Sequence, residues 1–530
     1  MGALDHSNDM WLQILLALTL VSVVLTWILQ CSSSAQKVHP PGPTPWPVIG
    51  NLFLFFRAPL PHRMLHNLAE KYGDLMYLRL GFTPCIVVSS PALADYIHKN
   101  HDTEFSSRPD GLITGILNGD SQSVSMAKHG DLWKTLRSIC WQILRPANIA
   151  RYETRRMEEI NIMLQSIQIA AEAGETVDLS SMLYKLSSNS MTQMLINRRY
   201  FTAGGNEENL REAVIFKKMI SERLKIASQF AIGDYIPYLR FIDYLFRYNA
   251  KAQEIQSMTM RVCDEIMNLE ERRRRLTREE NGDAQAVREE DFVDDLLSIQ
   301  AEYTADNSRK IKLTDHQIKL LVQDMLVAGT ETSATTVDWA MAELLCHPKV
   351  LQQLRSEIVT VVGSRSAVTE QDTKQMPYLN AVVMETLRLH PAAPLNLPRE
   401  SKGACLFLGR YQLPAKTRVI FNTHSIHRSL EAYDSPNAFK PERFLGVPQA
   451  NVSGSSFFQL SPFGFGKRVC PGQALGTISV CAALANLVHR FAWSLPCGLP
   501  PSHLDMIESF GLTAPRRCPL ILLPTPRLKV

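Results

Sequence analysis

A cysteine, Cys470, lies in the segment FGFGKRVCPG (463–472), together with two glycines, two cations and a Pro-Gly pair. Gly464 and Gly466 allow the backbone to turn sharply and to approach a flat ligand closely. Pro471 suits the first position of a helix, and the residues after it have helical periodicity. The sequence therefore predicts a cysteine just before a helix N-terminus, where the helix dipole and the nearby positive charge favour a thiolate.

A thiolate in this setting suits several kinds of chemistry. It could act as a nucleophile, as a redox sensor or as a metal ligand. A nucleophile needs a general base, and any part of the fold could supply one. The local residues alone therefore do not choose among the three.

The spacing within this segment resembles the haem-binding loop of the cytochrome P450 family. All five specified positions of the pattern Phe-x-x-Gly-x-Arg-x-Cys-x-Gly are present. The resemblance implies that the iron of haem b takes its axial thiolate from Cys470, that Phe463 packs against the ring and that Arg468 faces a propionate. A cysteine ligand pushes electron density onto the iron and favours cleavage of the O–O bond.

The motif AGTETS, residues 328–333, interrupts an apolar helical run. Glycine inside a helix costs about 1 kcal/mol relative to alanine and threonine is a poor helix former, so the motif predicts either a weakened buried helix or a functional distortion. It resembles the oxygen-activation motif of the same family. The resemblance implies that Gly329 opens room beside bound oxygen, that Thr332 hydrogen-bonds the oxygen and that Glu331 relays protons.

Two further motifs, ETLR and PERF (441–444), follow in the order that the family would have them. Glu385 and Arg388 are three residues apart, so on a helix they share one face, although surface ion pairs with this spacing are common. The resemblance implies that Arg443 joins this pair. The three residues are then expected to form a structural cluster that braces the core beside the haem.

Additional cofactor contacts are implied by the segment WKTLR. Trp133 and Arg137 would also fit the surface of an amphipathic helix, because they are four residues apart. The resemblance instead implies that both lie near the haem propionates, and that Arg399 also faces a propionate.

The elements around these motifs are mostly helical. A β-hairpin is predicted over residues 75–90 and short strands near 404–413, 417–425 and 519–524. Helices are predicted elsewhere, one of them across residues 258–276. The sequence therefore predicts a mainly α protein with small β-sheets and a single large domain. The resemblance implies that residues 51–530 form a haem-thiolate monooxygenase domain. The ten cysteines contain no CxxC pair, and the net charge of +4 is small. These features argue against a disulfide framework, a zinc site and nucleic-acid binding.

The N-terminal region has a different composition. Residues 11–29 form an uncharged, mainly apolar run of nearly the length that spans a bilayer. A cleaved signal peptide is the alternative, but acidic residues rather than basic ones precede the run. We expect a membrane anchor over residues 1–30 and a stiff proline-rich strut over residues 31–50. The anchor would make a single pass through the endoplasmic reticulum membrane, with the catalytic domain in the cytosol.

The resemblance extends over the chain and is strongest to plant microsomal members, on stretches such as PPGPTPWPVIGNL and AKTRVIFNTHSIHR. It implies a membrane-bound monooxygenase that uses O2 and receives electrons from an NADPH–cytochrome reductase. We expect the reductase to dock on a cationic face. That face comprises Lys128, Lys134, Arg145 and Lys467. The chain departs from the usual family pattern at Tyr433, where a tryptophan is common, and at Lys467, where arginine is more frequent.

Four segments are expected to line the substrate pocket, and they are largely apolar: 112–124, 326–330, 392–398 and 509–512. They indicate a hydrophobic substrate such as a fatty acid, a phenolic or a terpenoid. The alternatives are an amino-acid N-hydroxylase that forms oximes, a haem-thiolate isomerase or dehydratase, and a non-enzymatic haem-binding scaffold. Thr332 disfavours the first alternative, since those enzymes tend to lack it, and Glu331 with Thr332 disfavours the others.

Overall fold

The computed structural model describes residues 39–202, 207–280, 290–306, 311–447 and 458–527. The predicted anchor and the start of the proline-rich segment lie outside these residues. Among the residues that are described, no helix is both long enough and apolar enough to span a bilayer.

Most of the described residues are helical, as the sequence predicts. The α-helices are α1 (Leu52–Arg57), α2 (Pro61–Tyr72), α3 (Pro91–His101), α4 (Leu112–Leu117), α5 (Asp131–Ile143), α6 (Pro146–Arg151), α7 (Glu153–Glu172), α8 (Leu179–Ile196), α9 (Glu207–Ala227), α10 (Arg240–Leu245), α11 (Tyr248–Met267), α12 (Leu269–Glu280), α13 (Phe292–Ala305), α14 (Asp315–Cys346), α15 (Pro348–Val362), α16 (Glu370–Thr373), α17 (Pro377–Leu389), α18 (Thr423–Ile426) and α19 (Gln473–Arg490).

The strands form small sheets at the edges of the helical core. They are β1 (Leu75–Leu80), β2 (Thr83–Val88), β3 (Val177–Asp178), β4 (Arg399–Glu400), β5 (Cys405–Phe407), β6 (Tyr411–Leu413), β7 (Arg418–Phe421), β8 (Phe491–Ser494) and β9 (Ile521–Pro526). Three sheets result, with strand orders β1-β2-β7-β4, β3-β9-β8 and β5-β6. The mainly α fold class with small sheets is confirmed.

The predicted hairpin is β1 and β2, which pair antiparallel from Leu75 opposite Val88 to Leu80 opposite Thr83. Its turn contains Gly81, whose φ of 60° is a left-handed conformation that glycine adopts without strain. Strand β2 then pairs in parallel with β7, so that Cys85 lies opposite Arg418. The hairpin is thereby joined to the part of the chain that precedes the cysteine loop.

Helix α14 is the central element of the core. Its start is fixed by a capping box, in which Thr314 and Gln317 bond reciprocally to each other's backbone. Most of its side chains are buried, and it packs with α8, α17 and α19. The helix continues without a break through residues 328–333, so the distortion that the threonines and the glycine predict is absent. The Thr332 hydroxyl instead donates to the carbonyl oxygen of Ala328, at 2.7 Å.

Two helix boundaries differ from the sequence prediction. A single helix was predicted across residues 258–276, but Asn268 adopts a φ of 42° and separates α11 from α12. The helix after the cysteine loop begins at Gln473 with Gly472 as its N-cap. Pro471 is therefore not its first residue, and Cys470 lies three residues before the helix.

The described end of the proline-rich segment contacts the catalytic domain. The Tyr77 backbone N–H of β1 donates to the Pro41 carbonyl oxygen at 2.8 Å, and Trp46 pairs with Gly50. A Cβ on Gly42 would lie 2.0 Å from the Tyr77 carbonyl oxygen, so the backbones meet closely here. Residues 41–50 are thus packed against the sheet.

Candidate active site

One face of α14 stays accessible in the middle of this otherwise mostly buried helix. Asp324, Ala328 and Thr332 are spaced at intervals of four, so they share this face. Ala328 is exposed and the other two are half-buried, although most side chains of the helix are buried. The side of α14 that carries Ala328 and Thr332 is therefore accessible to a bound molecule.

Gly329 lies on a different face of the same helix. A Cβ at this position would meet the Met191 sulfur of α8 at 2.6 Å. Glycine therefore allows α8 and α14 to pack closely. Ala328 is exposed and Gly329 is half-buried, so both keep some accessible surface on α14.

Glu331 is half-buried between α14 and the C-terminal loop. Burial raises the pKa of its carboxyl, and a hydrogen bond with the Thr513 side chain opposes this shift only in part. Its Oε2 atom is buried and makes no hydrogen bond among the described residues. This environment favours the protonated carboxyl more than water does, which suits a group that passes on a proton.

The cysteine loop is shaped by its glycines. Gly464 and Gly466 have φ values of 70° and 64°, and residues Gly466–Arg468 form a short 3-10 turn. The Cys470 backbone N–H donates to the carbonyl oxygen of Phe463 at 2.9 Å. A Cβ on Gly466 would lie 2.3 Å from the Asp102 Oδ1 atom, so only glycine fits above this carboxylate.

Cys470 is half-buried, so part of the residue borders accessible space. Burial raises the pKa of its thiol, while the Gly472 backbone N–H and the Arg137 charge oppose this shift only in part. Burial thus opposes the thiolate that the helix N-terminus and the nearby positive charge favour. A thiolate at this position needs a bound cation on its open side, which a haem iron would provide.

Arg468 extends from this loop between two other segments. Its Nε donates to the Ser106 carbonyl oxygen at 2.7 Å and its Nη2 to the Ala127 carbonyl oxygen at 2.6 Å. Its guanidinium carbon lies 4.4 Å from the centre of the Trp133 ring. The Nη1 atom is buried and makes no hydrogen bond among the described residues. It is a donor that a carboxylate ligand could satisfy.

The other predicted cofactor-binding arginines are close to Arg468. Arg137 donates to the Val469 carbonyl oxygen next to the cysteine. Arg399 donates to the Phe465 carbonyl oxygen at 2.7 Å and pairs with Asp102 at 3.3 Å. The charges of Arg137 and Arg399 both act, together with burial, to lower the pKa of Arg468.

A fourth arginine, Arg108, belongs to the same cluster and was not among the predicted site residues. It is 6% exposed and donates to the Ser125 and Leu397 carbonyl oxygens at 2.9 and 2.7 Å. Burial lowers its pKa, and the charges of Arg468, Arg399 and Arg137 lower it further. Its position in the sequence FSSRP carries no local charge pattern that would have identified it.

These four residues, Arg108, Arg137, Arg399 and Arg468, are called the arginine cluster below. Among the described residues, their only ion pair is between Arg399 and Asp102. The cluster therefore carries excess positive charge inside the protein, which a ligand with two carboxylates would neutralise. A haem, with two propionates and an iron that takes a thiolate, fits this donor set.

The structural cluster predicted around ETLR is fully paired. Glu385 and Arg388 are both 0% exposed and form two hydrogen bonds of 2.6 and 2.8 Å. Arg443 approaches Glu385 at 3.4 Å, and the Lys440 backbone N–H donates to the same carboxylate at 2.8 Å. Tyr433 lies under Arg388, 4.8 Å from its guanidinium carbon to the ring centre.

The segments predicted to line the substrate pocket are linked to one another and to α14. Gln323 donates to the Leu117 carbonyl oxygen at 3.2 Å, and the Ala514 backbone N–H donates to the Ala392 carbonyl oxygen at 3.0 Å. Thr513 contacts Glu331 through its side chain. Leu117 and Thr513 thus contact the central helix, and residue 392 contacts the C-terminal loop next to Thr513.

Only part of the predicted cationic face forms one group. Lys134 and Lys467 lie near each other and near Lys402, since both lower the pKa of Lys402, whose first cause is burial. Lys402 was not predicted. Lys128 is paired with Asp110 at 2.8 Å. The Arg145 side chain donates to Asn148, at 3.2 Å.

Comparison with known proteins agrees with this site. The family model described as cytochrome P450 matches residues 40–517. Cytochrome P450 703A2 of Arabidopsis thaliana is 36% identical, over 97% of this chain and 98% of the relative. Flavonoid 3'-monooxygenase of Petunia hybrida is 35% identical, over 97% and 98%. A zebra fish cytochrome P450 solved with progesterone has a TM-score of 0.72 at 22% identity, over 88% of this chain and 99% of that one. The chain therefore belongs to the cytochrome P450 family of haem-thiolate monooxygenases, and its cofactor is haem b.

Proposed function

We propose that this chain inserts one oxygen atom from O2 into a hydrophobic small molecule, with electrons delivered from NADPH by a membrane-bound reductase. The observation that carries the proposal is the arginine cluster, with its excess positive charge, beside the partly accessible thiol of Cys470. Haem b, when bound, supplies the iron at which O2 is activated.

The residues around the cofactor have separate roles in this proposal. Cys470 is the iron ligand and Phe463 packs beside the ring. The arginine cluster and Trp133 hold the propionates, which satisfies the free Nη1 of Arg468. Glu385, Arg388 and Arg443 fix the fold beneath the loop and take no part in the reaction.

Residues of α14 position a proton donor and limit the space beside the cofactor. Thr332 presents a hydroxyl to the oxygen-binding side, where it orients a proton donor, and Glu331 holds the proton to be delivered. Ala328 limits the space next to Thr332. Replacing Thr332 with alanine should keep the haem and divert reducing equivalents to hydrogen peroxide.

The thiolate assignment is tested by the spectrum of the reduced protein with carbon monoxide. The wild-type protein should show the Soret band characteristic of thiolate ligation, and Cys470→Ser should lose it. Cys481→Ser is a matched control, because Cys481 is a buried thiol of α19 outside the loop. A thiolate band that survives in Cys470→Ser would refute the proposal.

We place the substrate among hydrophobic aromatic compounds. The pocket segments are largely apolar, and one relative is named for a flavonoid. The carboxylate of Asp324 is the exception on the accessible face of α14, and it accepts hydrogen bonds from the backbone and hydroxyl of Ser125 at 3.0 Å. Flavonoid and other phenolic compounds are the first to screen, by substrate-induced shifts of the haem spectrum.

The reductase should dock on the face that carries Lys134, Lys402 and Lys467. All three are exposed. Reversing the charge of Lys134 and Lys467 together should slow reductase-dependent NADPH consumption and weaken its dependence on salt. Lys218→Glu, an exposed lysine on α9, serves as the control. Equal rates in the three proteins would contradict this docking face.

We propose a membrane anchor over residues 1–30, a strut over 31–50 and a catalytic domain over 51–530, at the endoplasmic reticulum membrane. A patch of exposed apolar side chains supports membrane contact by the domain itself. Its members are 57–82% exposed: Tyr238, Phe241, Tyr244, Leu245 and Phe246. Phe82 stacks edge-on with Tyr238, with ring centres 6.0 Å apart. Replacing Leu245 and Phe246 with aspartate should reduce binding of the chain without residues 1–30 to lipid vesicles.

A further inference from the structure

Three buried polar atoms that make no hydrogen bond of good geometry lie near the contact between α8 and α14. They are the Oε2 atom of Glu331, the hydroxyl of Ser188 and the hydroxyl of Tyr184. Ser188 is 0% exposed. Buried polar groups nearly always have a partner, so unpaired groups that gather in one place indicate an ordered water between them.

The relative positions of these residues follow from two contacts between the helices. Ser180 of α8 donates to Asp338 of α14, and Met191 of α8 touches Gly329 of α14. The two helices are therefore antiparallel. Counting along both helices from either contact brings Ser188 level with residues 330–332 of α14. Glu331 lies at the centre of that range.

Tyr184 lies on the outer side of Ser188, in a row that runs from Glu331 through Ser188 toward the surface. It lies one turn before Ser188, so the two side chains share a face of α8. Burial raises the pKa of Tyr184 to about 12, the Ser188 hydroxyl lowers it in part, and the negative charge of Glu331 raises it further. These influences agree with the register that the helix contacts give. The exposed ammonium of Lys217 lies 5.6 Å from the centre of the Tyr184 ring, at the outer end of the line.

We propose that Tyr184 and Ser188, with ordered water between them, supply protons from the protein surface to Glu331. The inference rests on the proposed function, in which Glu331 gives a proton toward the oxygen-binding side. Each hydroxyl passes one proton inward and takes one from its outer neighbour, so neither changes its charge after a full transfer. Tyr184 and Ser188 are positioning residues that act through Glu331.

The test follows exchange of the Glu331 carboxyl proton in the full-length, haem-loaded protein. After rapid mixing into D2O at mildly acidic pH, infrared spectroscopy records the isotope shift of the carbonyl band that Glu331→Gln removes. We expect Tyr184→Phe and Ser188→Ala to slow this exchange at least about tenfold, since each removes one link of the route. Ser188→Thr, which restores a hydroxyl, should return it to within about threefold of wild type.

Tyr200→Phe is the matched control. Tyr200 also has a buried hydroxyl without a hydrogen bond, but the charges that affect its pKa do not include Glu331. This variant should exchange at the wild-type rate. Wild-type exchange in Tyr184→Phe or Ser188→Ala, equal slowing in Tyr200→Phe, or the absence of a band that depends on Glu331 would each overturn the proposal.

A second measurement connects the route to turnover. The solvent isotope effect on reductase-dependent NADPH consumption should rise about twofold or more in Tyr184→Phe and stay unchanged in Tyr200→Phe. The proposed function is tested separately by the thiolate spectrum of Cys470→Ser. A normal thiolate spectrum with unchanged proton exchange in Tyr184→Phe would remove the relay and leave the monooxygenase assignment standing.

Discussion

The cluster around Glu385 and the arginine cluster both bury guanidinium groups, but they balance the charge in different ways. Arg388 is matched by the Glu385 carboxylate and also donates to the carbonyl oxygens of His427, Pro436 and Ala438. The arginine cluster has four guanidiniums and an ion pair to one carboxylate, Asp102. Both guanidiniums of the first set pair with Glu385, whereas in our proposal the second set is completed by the carboxylates of the bound cofactor. Charge balance thus separates a structural site from a binding site.

The largest effect on stability should come from removing the carboxylate of the Glu385 cluster. Glu385→Gln leaves Arg388 and Arg443 buried without their anion, which should lower the free energy of unfolding by about 3–5 kcal/mol. Urea unfolding followed by circular dichroism measures this change. Asp95→Asn is the control, because its ion pair with Lys99 is on the surface and should contribute less than about 1 kcal/mol. A similar loss in both variants would contradict the distinction.

A smaller effect, confined to the loaded protein, should come from the arginine cluster. Arg468→Gln removes a charged donor to the cofactor, so haem should dissociate about 10–100-fold faster. The haem dissociation rate of Arg468→Lys should lie between those of the wild type and Arg468→Gln, because lysine keeps the charge but loses the planar donor geometry. Transfer of haem to an excess of apomyoglobin measures the rate.

The control for this experiment is Arg155→Gln. Arg155 is also buried and donates to backbone carbonyl oxygens, those of Gln193 and Glu290. It is not part of the arginine cluster, so haem dissociation should remain at the wild-type rate. Equal acceleration in Arg155→Gln and Arg468→Gln would mean that Arg468 acts through general stability.

The third effect is the smallest when it is counted per pH unit, and it concerns His427, which contacts Arg388. His427 is buried, accepts from the Ser461 backbone N–H at 2.9 Å and is placed to donate to the Arg388 carbonyl oxygen at 3.2 Å. Burial and the Arg388 charge lower its pKa to about 3. Between this value and its ordinary pKa near 6.5, the unfolded chain binds a proton that the folded chain does not. Stability should therefore fall by up to about 1.4 kcal/mol per pH unit as the pH drops below 6.5.

His427→Gln removes this titration. The variant should be less stable at neutral pH, yet its unfolding free energy should depend less steeply on pH than that of the wild type between pH 4 and 6, roughly the window between the two pKa values. Urea unfolding at several pH values compares the two slopes. Parallel slopes would show that His427 does not contribute to acid sensitivity.

The sequence predicts those parts of the site in which the spacing of residues along one helix decides which side chains share a face. The pair Glu385 and Arg388 could be found because three residues on a helix bring two side chains to one face. The same periodicity places Ala328 with Thr332 on one face of α14. The start of α19 was misplaced because Gly472, rather than Pro471, takes the N-cap position.

Contacts between distant segments could not be predicted in this way. Arg108 and Asp102 join the site through partners that lie roughly 300 residues or more away, such as Leu397 and Lys467. Whether these two residues belong to the site depends on which loops are in contact in the folded protein, and no local sequence pattern predicts that contact. For the same reason, the sequence does not show that Lys402 lies near Lys134 and Lys467.

The parallel pairing of β2 with β7 has a consequence for how the protein forms. Cys85 pairs with Arg418, which lies 333 residues further along the chain. During synthesis, β2 leaves the ribosome long before its partner, and the cysteine loop follows later still. Contacts at such separation form slowly and leave strand edges exposed in the meantime. Cofactor capture should therefore be a late, post-translational event that closes a nearly complete fold.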